Sequence, residues 1–303
     1  MENILKTIDI TKKFSKKVAV SSVNMTIKKG DIYGFIGRNG AGKTTLIKML
    51  VGLSQPTSGS IELFDTKNLN KVRSKIGTVI ESPAFVPHLS ARQNMLIQWK
   101  LLGTKDKSII DKTLKLVGLD NVGRKKVKKF SLGMKQRLGI AMTLMGEPEL
   151  LILDEPTNGL DPEGIIEIRQ MLKKLNQEKG LTILISSHIL GELSKLATRY
   201  GIINDGVLVD EFTEEELVER CQSSLVVKVN DVNKASEILK SELNTEKFSV
   251  LNENTLEVFD FIDTPGTVNT VLAKNDIVVE SISKKSVDLE EYFMKVIGGN
   301  KND

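Results

Sequence analysis

The sequence predicts an α/β fold: a parallel sheet flanked by helices, strands of an N-terminal sheet ahead of it, and a small α+β domain behind. Three observations point there. A glycine-rich turn, Gly37-Arg38-Asn39-Gly40-Ala41-Gly42-Lys43-Thr44-Thr45, separates a short strand, Gly34-Phe35-Ile36, from a helix marked by Leu46, Met49, Leu50 and Leu53. Short, mostly apolar runs at Leu150 to Leu153 and Leu181 to Ser186 suit strands buried on both faces. Beyond residue 223 the signals recur in the order β-α-β-β-α-β, which predicts a ferredoxin-like sandwich.

In chain order, Ile4 to Ile10 and Val18 to Ile27 read as strands of an N-terminal sheet, followed by strands at Ile61 to Phe64 and Ile76 to Ile80. Residues from about 90 to 145 are mostly helical. Ser90-Ala91-Arg92-Gln93 has the capping-box pattern ahead of Met95, Leu96 and Trp99. Gly164 to Lys179 is a helix between the two apolar runs. Thr213 to Arg220 is acidic and polar and reads as the link to the second domain. There, Leu225 to Val229 is a strand, and Val232, Ala235, Leu239 and Leu243 share a helix face. Phe248 to Leu251 and Leu256 to Phe261 form a hairpin around Asn252-Glu253-Asn254. Thr267 to Lys274 is a helix, Ile277 to Ser283 a strand, and Asp288 to Ile297 a terminal amphipathic helix.

A length of 303 residues suits two domains, drawn at 1–212 and 223–303 with a linker over 213–222. The net charge of +4 is mild and marks no nucleic-acid stripe. Cys221 is the single cysteine, so neither a disulfide framework nor a cysteine metal site is expected. Met1-Glu2-Asn3-Ile4 runs straight into a strand pattern, which predicts no signal peptide, and no run of about 18 apolar residues spans a membrane.

The glycine-rich turn satisfies G-x-x-x-x-G-K-[ST], the phosphate-binding loop. Its glycines let backbone N–H groups turn toward phosphate oxygens at a helix N-terminus. Lys43 reaches the β- and γ-phosphates, and the Thr44 hydroxyl suits Mg²⁺. Leu150-Leu151-Ile152-Leu153-Asp154-Glu155 delivers paired carboxylates to a strand tip. Alone, that run is an ordinary strand ending in solvated charges. Downstream of a phosphate loop, Asp154 is placed for Mg²⁺ and Glu155 for the attacking water.

Phe130-Ser131-Leu132-Gly133-Met134-Lys135-Gln136-Arg137 resembles the LSGGQ signature of the ATP-binding-cassette ATPases. Ser131 and Gly133 match it, while Leu132 and Met134 depart from it. The segment opens a helix expected to run from Met134, a second anion site. The resemblance covers residues 1 to about 212. It implies a RecA-like parallel core, an N-terminal antiparallel β subdomain and a helical subdomain over about 83–145. It also implies bound ATP and Mg²⁺, and a head-to-tail homodimer in which Ser131 and Gly133 close on the partner's nucleotide. Asn158-Gly159-Leu160-Asp161 matches the loop that links the sites, His188 the histidine that touches the γ-phosphate, and Phe14 the aromatic that stacks on adenine. Partner permease subunits would place the chain at the cytoplasmic face of the membrane, with no direct nucleic-acid contact.

Glu81 departs from the family, which usually carries glutamine there. Either side chain offers Mg²⁺ a hard oxygen, and glutamate adds a charge. Glu81 with Ser131-Leu132-Gly133-Met134-Lys135 resembles the subgroup that expels antimicrobial peptides, of the bacitracin-resistance and lantibiotic-immunity type. The rival reading is a soluble ATPase of the same type acting on nucleic acid or ribosomes. Those chains usually carry two cassettes or a long coiled coil. A single cassette without a long heptad run favours transport. Lys125-Lys126-Val127-Lys128-Lys129 reads as a solvated loop face, and His88 as an exposed loop residue.

Overall fold

The computed structural model describes residues 2–220, 223–285, 292–294 and 296. Contacts divide the chain after Glu214 into a larger N-terminal and a smaller C-terminal unit.

The N-terminal unit opens with β1 (Asn3–Phe14) and β2 (Lys17–Lys28), a long hairpin; β3 (Ile32–Ile36) leads into α1 (Lys43–Leu50). β4 (Ser58–Leu63) pairs back on β1, completing an antiparallel sheet of order β2-β1-β4. α2 (Leu69–Val72) and β5 (Ile76–Val79) follow, then α3 (Ala91–Leu102), α4 (Ile109–Leu116) and α5 (Leu132–Leu144). β6 (Leu150–Asp154), α6 (Pro162–Lys179), β7 (Thr182–Ser187) and α7 (Leu190–Leu193) lead to β8 (Arg199–Asn204) and β9 (Val207–Thr213). A six-stranded sheet has the order β5-β6-β7-β3-β8-β9. It is parallel except for the β8–β9 hairpin.

The core explains the apolar runs. β3, β6 and β7 are buried along their whole lengths. Tyr33, Phe35, Leu150, Ile152 and Leu184 share one apolar cluster with Leu46 and Leu50 of α1 and with Ile4, Val20 and Ile27 of the antiparallel sheet. α1 thus has apolar residues against it from both sheets, which holds its N-terminus fixed.

The helical segment is built from local signals. Ser90 and Gln93 form the expected capping box at α3. Asn94 ties down the preceding loop through bonds to both backbone groups of Val86. Gly139 of α5 lies so close to Pro83 that a Cβ there would sit 2.4 Å from the proline Cγ. α5 begins at Leu132, ahead of the expected Met134, because Ser131 caps it by accepting from the Met134 N–H. In the lysine-rich run Val127 is buried, while the four lysines and His88 are exposed.

The acidic joining stretch is helical, α8 (Glu214–Arg220), with Glu214, Glu215 and Glu216 in its first turn, where the helix dipole favours them. The C-terminal unit contains β10 (Ser224–Val229), α9 (Val232–Glu242), β11 (Phe248–Asn252), β12 (Thr255–Val258), α10 (Pro265–Lys274) and β13 (Val279–Lys285). Its sheet has the order β11-β12-β10-β13, antiparallel throughout. That is the strand order of the ferredoxin-like sandwich. Leu225, Val227, Val229, Ala235, Leu239, Leu256, Val258, Val268 and Leu272 form its core. Ile277 does not start the last strand. It bonds back to Leu272 after α10 and is buried there. Of the expected terminal helix, residues 292–294 and 296 are helical, and the rest lies outside the described residues.

Candidate functional site

The site lies at the C-terminal ends of three neighbouring parallel strands. β7 is flanked by β6 and β3, and its Ser186 and Ser187 are level with Asp154 and Ile36. The phosphate loop, the paired carboxylates and His188 are therefore brought to one sheet edge, where ligands bind in such folds.

Glycine is required in the loop on two separate grounds. At Gly42 φ is +112°, a conformation L side chains rarely adopt, and a Cβ would meet the Ala19 carbonyl oxygen at 2.6 Å. At Gly37 a Cβ would meet the Ile203 carbonyl oxygen at 2.6 Å. Gly42 also caps α1 without a side chain, and the first helical bond runs from the Leu46 N–H to its carbonyl. The N–H groups of Lys43, Thr44 and Thr45 thus have no acceptor within the helix and are positioned for an anion. Phe14, Lys17, Ala19, Asn39, Gly40, Gly42, Lys43, Thr44, Thr45 and Glu155 line one open cavity of about 340 Å³. Phe14 is 53 % exposed, with the Lys12 ammonium 5.0 Å from its ring centre.

Lys43 is nearly buried and fully engaged. Its ammonium donates to the Gly37 carbonyl at 2.7 Å and the Arg38 carbonyl at 3.2 Å, and it pairs with Glu155 Oε1 at 3.1 Å. The other Glu155 oxygen stands 3.0 Å from His188 Nδ1. Glu155 sits at φ +48°, an unusual conformation for a side-chain-bearing residue, and its N–H donates to Ser186 Oγ.

Asp154 is 4 % exposed. Its oxygens accept from the Thr44 hydroxyl at 2.7 Å and the Ser186 hydroxyl at 2.6 Å. A buried carboxylate held by hydroxyls, with no cationic side chain in salt-bridge range among the described residues, is a donor set that fits a small divalent cation. Ser186 was invisible to motif reading: a serine ending an apolar strand carries no signal until the strand order is known.

Among the described residues the remaining candidates make their side-chain bonds outside this cluster. Glu81, at φ +60° just past β5, pairs with Lys48 Nζ at 2.8 Å. Asp161 caps α6 by accepting from the Gly164 N–H at 3.0 Å. Ser131 and Gly133, at the start of α5, do not line the phosphate-loop cavity. Gly133 and Leu132 instead lie close to Leu160 and Gly159.

Fold and site together define a P-loop nucleoside triphosphatase. Residues 20–158 match the family model described as ABC transporter. The chain is 45 % identical over 302 residues to the bacitracin transport ATP-binding protein BcrA of Bacillus licheniformis, covering 99 % of each. It is 47 % identical over 208 residues to the lantibiotic transport ATP-binding protein SrtF of Streptococcus pyogenes, covering 69 % of this chain and 90 % of that one. Among solved structures it resembles a dimeric ATP-binding cassette in a post-hydrolysis state bound to ADP and Pi. That match has a TM-score of 0.61 and 28 % identity, and covers 69 % of this chain and 98 % of the other. The chain belongs to the ABC transporter family, as an ATP-binding, ATP-hydrolysing subunit. No helix among the described residues is long and apolar enough to cross a membrane.

Proposed function

We propose that this subunit energises export of an antimicrobial peptide of the bacitracin or lantibiotic type through separate permease subunits, working at the cytoplasmic face of the membrane. One observation carries the hydrolytic part: a single carboxylate, Glu155, stands between the phosphate-loop lysine and His188. The cargo class rests on similarity along the whole chain, beyond the cassette, to a bacitracin transport ATP-binding protein. That full-length match also weighs against the nucleic-acid or ribosome reading.

The residues then have distinct tasks. Backbone N–H groups of the loop and Lys43 bind the phosphates of ATP, with Lys43 exchanging Glu155 for phosphate oxygen. Phe14 stacks on the adenine. Thr44 and Asp154, with Glu81 just past the neighbouring strand β5, would hold Mg²⁺, which would supply charge neutralisation on the phosphoryl group being transferred. Glu155, released from Lys43, orients the attacking water and accepts its proton, and His188 keeps the carboxylate in place and faces the γ-phosphate. The start of α5, with Ser131 and Gly133, is an anion site outside the chain's own cavity. It serves the nucleotide of a second copy in a head-to-tail, twofold dimer, with Asp161 at the contact. ATP favours the closed pair by binding it better than the open one.

Cells lacking the protein should become sensitive to bacitracin-like or lantibiotic peptides and recover with the native gene but not with a Lys43→Ala variant. Unchanged sensitivity to both classes, together with salt-sensitive nucleic-acid binding by the purified chain, would overturn the transport reading.

A further inference from the structure

Glu81 and Lys48 are the charged pair that the proposed chemistry leaves unexplained. Lys48 lies on α1 four residues after Thr44, so both side chains belong to the same helix face on successive turns. Glu81 follows β5, which lies beside β6 and its Asp154 tip. Its backbone turns at φ +60°, and two residues further on Pro83 is lodged against Gly139. The carboxylate reaches α1 and binds the Lys48 ammonium at 2.8 Å, with the side chains 39 % and 67 % exposed for Lys48 and Glu81. Lys48 holds this carboxyl below its usual range.

We propose that Lys48 is a positioning residue for the divalent-cation site: it keeps the Glu81 carboxylate at the turn of α1 beyond Thr44 and yields it to the cation when nucleotide binds. This rests on the ATP-hydrolysing reading of the site. An exposed ion pair is weak and exchanges readily, so Glu81 is held without being locked. A hard carboxylate oxygen is a better ligand for Mg²⁺ than an amide oxygen, but a third carboxylate beside Asp154 and Glu155 would repel incoming phosphates. Lys48 neutralises that charge until a cation arrives to do so. A neutral glutamine at position 81 would form no ion pair with Lys48, so the arrangement belongs to this glutamate–lysine combination.

The test uses the full chain with a non-hydrolysable ATP analogue and Mn²⁺ as the metal probe, read by electron paramagnetic resonance. Glu81→Gln should weaken Mn²⁺ binding. Lys48→Gln should tighten it by about two- to fivefold, the scale of one exposed ion pair. In the Glu81→Gln background Lys48→Gln should change nothing. Lys48→Arg, whose planar fork grips a carboxylate more firmly, should shift affinity the other way. Equal tightening by Lys48→Gln in both backgrounds would show simple charge removal and overturn the proposal, as would Mn²⁺ affinity indifferent to position 48. A native chain that binds neither analogue nor Mn²⁺ would overturn the hydrolytic reading itself. Normal binding insensitive to Lys48 overturns only the positioning role.

Discussion

Replacing Glu155 by glutamine tests the proposed chemistry most directly, because the change is nearly isosteric. The carboxamide still offers an oxygen to Lys43, now 3.1 Å from Oε1, and a polar neighbour to His188. Lys43 also keeps the Gly37 and Arg38 carbonyls, so the loop should hold its shape. What disappears is the negative charge and the ability to accept a proton. A positioned general base contributes about 10²- to 10⁴-fold. At about 1.36 kcal/mol per decade that is about 3–5 kcal/mol of lost transition-state stabilisation. Binding should move the opposite way. In the native chain ATP must draw Lys43 from an anion, and in the variant only from a dipole. Single-turnover hydrolysis should therefore fall by that factor, while calorimetry returns an ATP affinity equal to or tighter than native. Light scattering should show a larger species that persists with ATP. Hydrolysis within about tenfold of the native rate would refute the base assignment. Retained affinity without any ATP-dependent change in size would refute the composite dimer.

Gly42→Ala should destabilise the chain by about 1–3 kcal/mol in urea denaturation, since alanine must adopt φ +112° and displace the Ala19 carbonyl. Asp31→Asn should stabilise it. Asp31 Oδ2 accepts from the Lys28 N–H, and burial raises its pKa above 3.8. With a raised folded-state value, the contribution of Asp31 to stability is complete below 3.8 and is lost as pH rises through the folded value. Asparagine keeps the acceptor and drops the charge. The gain should thus appear in denaturation at neutral pH and shrink in acid, and a gain independent of pH would contradict this account.

Much of the fold was legible because the decisive segments carry short-range signals. The phosphate loop, the capping box at Ser90 and the apolar strands ending in Asp154 and Ser186 announce themselves within a few residues. The β8–β9 hairpin did not enter the sequence reading, although Asp205-Gly206 carries its signature. Both residues have positive φ, +46° and +83°, as a tight hairpin turn requires. The helix end at Lys274 is as expected, but the last strand starts at Val279 and not at Ile277, since an apolar residue packing back on a helix and one opening a strand look the same in sequence. Within the site, Ser186 and Lys48 were missed for a shared reason. Each acts on a residue far along the chain, Asp154 or Glu81, and only strand order brings the partners together.

The resting arrangement also explains why one carboxylate should serve twice. Lys43 is 4 % exposed, and a buried ammonium without a counter-charge would be costly. Backbone carbonyls satisfy part of it, and Glu155 supplies the charge. The residue proposed to activate water is thus occupied as the lysine's counter-ion until phosphate replaces it. Its backbone at φ +48°, anchored through its N–H to Ser186, keeps it at the strand tip while its partner changes. A base freed only by arriving phosphate links hydrolytic competence to substrate binding within one subunit, before any second copy closes over the site. In the proposed head-to-tail dimer, closure through Ser131 would supply a separate, later condition, so that neither ATP alone nor the partner alone would complete the site.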